Sequence, residues 1–342
     1  MTTGKLDSRY LTLTCVATGL VGAFGVQSAP AADSDVAARA MWRTFMSNNT
    51  TSEAGCFQAE YPSYVWEKMA CSEAKPRFHP VLKLPKAPEA QVTGNGNDYV
   101  AQSSGLTTAA VGTFPSVTGV TSEKSVGVAA FGGGGILGNN EYSLQINTNF
   151  TGTTSVCAGH SGCTVWQQFI YATDYATAGQ GAVFMQYWLI GWGSSACPSG
   201  GWMSDGGGDC FRNSSITTAP DLPATSLGSF TLTATATAGG NDTVVFNSGS
   251  HVYSVTAKDS VTDISAVWRQ TEFNIVGDAG GSRANFNKGA KVTVKIALTD
   301  GSTSAPSCVA NSGSTGETNN LTLGSCTTAG GTSPSIQFTE SD

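Results

Sequence analysis

Charge is scarce in this 342-residue chain: charged residues make up 12% of it, histidine occurs three times, and the net charge is −7. An acidic chain with so few cations has little to offer a phosphate backbone, which argues against nucleic acid as a partner. His79, His160 and His251 have no partner at metal-ligand spacing. No phosphate loop or dinucleotide fingerprint occurs, and no Cys-x-x-Cys pair that would suggest a zinc site. Gly159-His160-Ser161-Gly162 lacks the Gly-x-Ser-x-Gly spacing of a nucleophile elbow. Asp and Asn occur in glycine-rich loops without a calcium-loop spacing. The expectation is a protein with no cofactor and no metal.

What is present is glycine (42 residues), aromatics (15 Phe, 9 Tyr, 7 Trp) and nine cysteines. Lys5 and Arg9 precede an apolar run from Tyr10 to Val26, and small residues follow at Ser28-Ala29-Pro30-Ala31-Ala32. That is the layout of a secretory signal over residues 1–32, with a membrane anchor as the alternative. Cys15 falls inside it. The remaining eight cysteines form an even set, as expected of a disulfide framework in an exported chain. Roughly a hundred pairings are open to eight cysteines. Spacing favours nearest neighbours: Cys56–Cys71, Cys157–Cys163, Cys197–Cys210 and Cys308–Cys326. The expected product is secreted or periplasmic, monomeric and without a membrane span once processed.

Residues 33–50 carry helical spacing at Val36, Ala40, Met41 and Phe45. Pro76, Pro80, Pro85 and Pro88 then punctuate a basic stretch with Lys75, Arg77, Lys83 and Lys86. This predicts an N-terminal extension or pro-segment over residues 33–90, ending in a proline-rich linker. From residue 91 to 342, short runs rich in Val, Thr, Ile, Phe and Tyr alternate with Gly, Asn and Asp turns. Expected strands are 98–103, 107–114, 117–122, 142–149, 164–172, 182–191, 228–237, 242–247, 252–257, 268–276, 290–299 and 335–339, with a short helical crossover at 260–266. Without βαβ alternation, this reads as an all-β antiparallel sandwich or jelly roll.

Three strands carry polar groups among aromatics: Val165-Trp166-Gln167-Gln168-Phe169-Ile170-Tyr171, Phe184-Met185-Gln186-Tyr187-Trp188 and Trp268-Arg269-Gln270-Thr271-Glu272-Phe273-Asn274-Ile275-Val276. Alternate residues of a strand share a face. Trp166 and Gln168 therefore share one face and Gln167 and Phe169 the other. Gln186 shares a face with Trp188, and Trp268, Gln270, Glu272 and Asn274 line another. Such a face is costly to bury dry and suits an aromatic-walled cleft. The alternative is an ordinary solvent-facing sheet.

These strands resemble the glutamic peptidases of the eqolisin type, and more loosely the neprosin-like peptidases. Trp166-Gln167-Gln168-Phe169-Ile170-Tyr171 looks similar to the family strand that supplies a catalytic Gln. Met185-Gln186-Tyr187-Trp188 sits where a Trp-Tyr-Glu-Trp-Tyr strand follows, with Gln186 in place of Glu. Glu272 to Asp278, then Gly280-Gly281-Ser282 and Ala284-Asn285-Phe286, match the closing segment in order. The resemblance implies a lectin-like sandwich with catalytic Gln167 and Glu272, and a substrate-binding set of Trp166, Gln168, Gln186, Trp188, Trp268, Asn274 and Asp278. The family's catalytic Glu is the second of its segment, however. Its place falls here near Gly277 or Asp278, while Glu272 matches the first. Either Glu272 or Asp278 would serve as the base, and Gln167 or Gln168 as the oxyanion donor. The implied substrate is a polypeptide. A non-catalytic sandwich that binds glycan or peptide on the same face is the competing expectation, and a structural surface protein is a third.

Overall fold

Lys291–Thr299 alternates between buried and open positions along its length, with Val292, Val294, Ile296 and Leu298 pointing inward. That period of two is the signature of a strand with one face on a core. Similar patterns recur throughout the computed structural model, which describes residues 31–73, 98–129, 132–150, 152–193, 196–310 and 317–342. Of the proposed signal segment only Ala31 and Ala32 are described, and the basic proline-rich stretch from Lys75 to Pro88 lies outside the described residues.

One helix, α1 (Ala31–Asn48), precedes the strands. In chain order the strands are β1 (Gly55–Glu60), β2 (Glu67–Met69), β3 (Tyr99–Gln102), β4 (Ala109–Thr118), β5 (Glu123–Gly127), β6 (Gly138–Asn139), β7 (Tyr142–Asn147), β8 (Thr164–Ala172), β9 (Gln180–Ile190), β10 (Met203–Ser204) and β11 (Cys210–Asn213). They continue with β12 (Thr217–Pro220), β13 (Phe230–Thr235), β14 (Asn241–Ser248), β15 (His251–Lys258), β16 (Gln270–Gly277), β17 (Ser282–Phe286), β18 (Lys291–Thr299), β19 (Ser307–Ala310), β20 (Thr318–Asn319), β21 (Thr322–Ala329) and β22 (Ser335–Ser341). One large sheet runs β2-β1-β15-β14-β13-β4-β18-β22-β21. The second runs β10-β11-β9-β8-β7-β16-β3-β19, with β12 also on β9. A smaller sheet, β20-β17-β5-β6, contains the parallel pair β17–β20. The rest is antiparallel, so the all-β sandwich expectation holds.

The two large sheets pack through one core. Tyr171 stacks on Phe246 at 3.9 Å between ring centroids, and Phe114 meets Phe273 at 5.0 Å. Gly112 on β4 lies directly beneath the Phe273 ring: a Cβ there would come within 2.2 Å of it. Four disulfides join Cys56–Cys71, Cys157–Cys163, Cys197–Cys210 and Cys308–Cys326, the nearest-neighbour pattern. Cross-links of this number belong to an oxidising environment. Among the described residues no helix is long and apolar enough to cross a membrane.

Three expectations change. Pro115 splits the sequence into runs 107–114 and 117–122, yet β4 continues through it. The register with β18 shifts between Thr293 and Lys295, and such a bulge tolerates a residue without an N–H. The expected crossover at 260–266 is two short 3-10 turns, Asp259–Val261 and Ile264–Ala266. Finally, the extension is built into the sandwich as far as Cys71. β1 pairs with β15 over six residues, and Trp42 and Met46 of α1 bury themselves with Ala59, Val245 and Val252.

Candidate functional site

The central strands of the second large sheet, β7, β8, β9 and β16, are buried on both faces. One face joins the core through Val165, Phe169 and Tyr171 of β8 and Val183, Met185 and Leu189 of β9. The other carries Trp166, Gln168 and Ile170, as strand alternation requires, and it too is buried. This rules out the solvent-facing alternative for that face.

Register brings the polar residues of this second face into a line. Glu272 of β16 sits opposite Asn147 of β7, Asn147 opposite Gln168 of β8, Gln168 opposite Gln186 of β9, and Gln186 opposite Asn213 of β11. Five adjacent strands thus contribute one carboxyl group and four amides to a single row. Hydrogen bonds tie the row together. Asn147 Nδ2 donates to Glu272 Oε2 (2.8 Å) and to Gln145 Oε1 (3.2 Å), and Gln168 Nε2 donates to the same Gln145 oxygen (3.0 Å). Trp188 Nε1 donates to both Gln168 Oε1 (3.0 Å) and Gln186 Oε1 (3.1 Å). Gln186 Nε2 donates to Asn213 Oδ1 (2.6 Å), and Asn213 Nδ2 to the Tyr175 hydroxyl (3.1 Å).

Apolar walls flank the row on both sides. Phe150, Trp166, Trp188 and Phe211 cluster on one side, with Trp166 and Trp188 centroids 5.9 Å apart. The Trp166 indole N–H is buried and has no hydrogen-bond partner among the described residues. Ile170, Ala182, Phe184 and Tyr175 form the other wall, where Tyr175 stacks on Phe184 at 4.4 Å.

At its β16 end the row opens into a cluster of acids: Asp98, Glu272, Glu317 and Glu340, none more than 1% exposed. Burial holds the Glu272 carboxyl well above the usual range. The neighbouring Asp98, to which it is hydrogen-bonded, raises it further, and the Asn147 amide partly opposes this. Burial and then Asp98 do the same to Glu340, against hydrogen bonds from Asn274 Nδ2 (2.8 Å) and Asn319 Nδ2 (3.2 Å). Gln145 Nε2 reaches Glu317 Oε2 at 3.2 Å. Two adjacent carboxyl groups in a dry site cannot both ionise cheaply, so such a pair retains a proton well above pH 4. Among the described residues no cluster of acids, histidines or cysteines is arranged to hold a metal ion.

The expected site residues divide. Trp166, Gln168, Gln186, Trp188 and Glu272 share the row or its wall, and Asn274 joins it through Glu340. Gln167 does not. It lies on the core side, where its Nε2 donates to Asp242 Oδ2 (2.9 Å) and its Oε1 accepts from Thr262 (2.6 Å), pinning the 3-10 turns to the sheet. The pleat makes this unavoidable once Gln168 faces the row. Trp268 is a second correction. It precedes β16, joins the inter-sheet core and stacks on Phe169 at 5.7 Å between centroids. Asp278 bridges to Ile136 six residues beyond Glu272, about 20 Å along the strand direction, so it cannot share a reacting atom with Glu272.

The sequence reading missed Asp98, Glu317, Glu340, Gln145 and Asn147. The signal for two of them was available: Ser143, Gln145 and Asn147 alternate with Leu144 and Ile146, the same pattern that marked β8 and β9.

No family model, curated protein or solved structure matches this chain. The functional argument therefore rests on the row and its acid cluster.

Proposed function

We propose that the chain is an exported acid endopeptidase. Glu272 and Asp98 act as a carboxyl pair holding one proton, and Gln168 supplies the oxyanion donor. The observation that carries this reading is the alignment of Glu272, Asn147 and Gln168 in one row, with the Glu272 carboxyl raised by burial and by Asp98.

In the cycle, the ionised member of the pair takes a proton from water as its oxygen attacks the peptide carbonyl carbon. The protonated member hands its proton to the leaving nitrogen as the C–N bond breaks, and the pair returns with one proton. The carbonyl oxygen becomes an oxyanion, and the Gln168 Nε2 group has a second N–H free to meet it once one is given to Gln145. The aromatic walls on either side of the row suit the flanking side chains of a polypeptide. Because the row is buried, substrate entry requires this face to open, which fits synthesis as a latent form. Residues 33–90 keep the role of a pro-segment only if cutting after them leaves β1 and β2 in place or dispensable.

A second reading is a non-catalytic binding sandwich for peptide or glycan. It is favoured by one observation: the amide that donates to Glu272 Oε2, at 2.8 Å, is that of Asn147, where the peptidase reading expects a glutamine. An acid-pH digest of a denatured protein discriminates. The peptidase reading expects cleavage by the wild type and loss of it in Glu272→Ala. Absence of wild-type cleavage, before and after removal of residues up to about 90, overturns it and leaves the binding reading.

A further inference from the structure

Of the wall formed by Ile170, Ala182, Phe184 and Tyr175, only Tyr175 stands off the strands. It is carried by the turn of residues 173–179 between β8 and β9. Its ring stacks on Phe184 at 4.4 Å, and its hydroxyl accepts from Asn213, the last amide of the row. Whatever moves this turn therefore moves one end of the row and part of its wall.

The turn is anchored on Glu141, which immediately precedes β7. The Thr173 N–H donates to the Tyr142 carbonyl (3.1 Å), and the Thr173 hydroxyl donates to Glu141 Oε2 (3.0 Å). The next residue, Asp174, is held at a φ of 48°, a left-handed conformation that residues with a side chain adopt reluctantly. Its carboxyl accepts from the Gly179 N–H across the turn and is hydrogen-bonded to the Glu141 carboxyl. A hydrogen bond between two carboxyl groups exists only while one of them is protonated. With both ionised there is no donor, and two like charges abut.

The surroundings favour that proton. Asp221, one residue past β12, acts on Glu141 and itself feels Asp174. Glu123 on β5 feels Glu141 in the same way. The phenols of Tyr142 and Tyr171 lie in the same acidic field, raised by burial and by Asp221, with Asp278 also acting on Tyr171. Burial, against the Thr173 hydrogen bond but with Asp174 and Asp221, pushes the Glu141 carboxyl up to about 7.

We propose that the proton shared by Glu141 and Asp174 is a latch on the Tyr175 wall: with it the turn is docked and the wall complete, and without it the turn lifts and that end of the row opens. The docked form holds its proton up to about pH 7, whereas a released Glu141 returns toward its ordinary value of 4.5. Docking is therefore fully favoured below pH 4.5 and loses its advantage as pH rises through 7. The latch deepens the acid-cleft reading and rests on it for its purpose, but its closure is measurable without substrate.

The test is hydrogen exchange of the full chain at pH 4.5 and pH 7.5, expressed as protection factors. The reporters are the amides of Gly179 and Gln180, which donate to Asp174 Oδ1 and the Thr177 carbonyl inside the turn. Amides of β18 serve as the reference for global opening. Full linkage across this window corresponds to on the order of 10²-fold, and solvent screening of a half-buried pair reduces it, so the wild-type turn should lose at least about tenfold in protection relative to β18. Glu141→Gln and Asp174→Asn each supply an N–H donor at every pH, so both should keep the turn protected at pH 7.5, with folding checked by near-ultraviolet circular dichroism. Three results overturn the latch: an unchanged wild-type turn, a fall shared equally by β18, or a fall in both variants as large as in the wild type. An inert wild type with a working latch sinks the peptidase and keeps the latch, whereas a cleaving wild type whose turn ignores pH sinks the latch and keeps the peptidase.

Discussion

Glu123 is the first residue of β5 and is 2% exposed, with the Asn140 backbone N–H partly opposing the effect of burial on its carboxyl. Burial, reinforced by the nearby Glu141, pushes its carboxyl up to about 9. Unfolded, the same group titrates near 4.5. The unfolded chain therefore releases a proton from pH 4.5 upward that the folded chain keeps. Stability is fully present below the unfolded value and is lost as pH rises toward 9, by about 1.4 kcal/mol per pH unit. From pH 4.5 to pH 7 that amounts to about 3 kcal/mol from this one group. Glu123→Gln removes the titration while keeping the shape. Denaturant unfolding of wild type and variant at pH 4 and pH 7 isolates the effect, because any packing cost of the amide is common to both. The variant should gain about 3 kcal/mol on the wild type between pH 4 and pH 7. The same stability difference at both values would refute the reasoning.

Other buried acids act in the same direction. Burial raises Glu272, Glu340 and, with Asp259 beside it, Asp242, while Glu141 is pushed up to about 7 by burial. The wild type should therefore be most stable in acid and lose stability from pH 5 to pH 8, with a slope corresponding to two or more protons; a flat or rising profile contradicts this. Gln167→Ala should cost about 1–3 kcal/mol in unfolding stability, since it strands Asp242 and Thr262, and should spare turnover in the folded fraction. Gln168→Ala should lower kcat by about 10²–10³-fold, as for loss of an oxyanion donor. A reversed pattern would return the catalytic role to Gln167. Gly112→Ala should destabilise by about 1–3 kcal/mol or more through collision with the Phe273 ring, read by thermal unfolding.

The strands were legible where pattern is local. Thr164–Ala172 coincides with the expected run 164–172, and its alternation correctly separates Gln167 from Gln168. The family resemblance pulled the catalytic assignment to Gln167 instead, and strand geometry decides against it. Local pattern also misled at Trp268, whose alternation with Gln270 and Glu272 ends where the chain turns into β16. β1 escaped because its partner β15 lies almost two hundred residues later, so nothing nearby marks it as part of the sheet. Asp98 and Glu340 escaped for a similar reason. Each reads as an isolated acid near a strand end, and only the tertiary fold brings both to Glu272 and Asn274. Burial that shifts a carboxyl is a property of the assembled sheets, not of any segment.

The most direct measurement of the central claim is the appearance of new amino termini in a denatured protein substrate at pH 3–4, compared among wild type, Glu272→Gln and Asp98→Asn. The carboxyl-pair account predicts wild-type cleavage that fades toward neutral pH, and at least a hundredfold loss in either variant, each folded by circular dichroism. Undiminished cleavage by both variants, or an inert wild type with and without its first 90 or so residues, would contradict it.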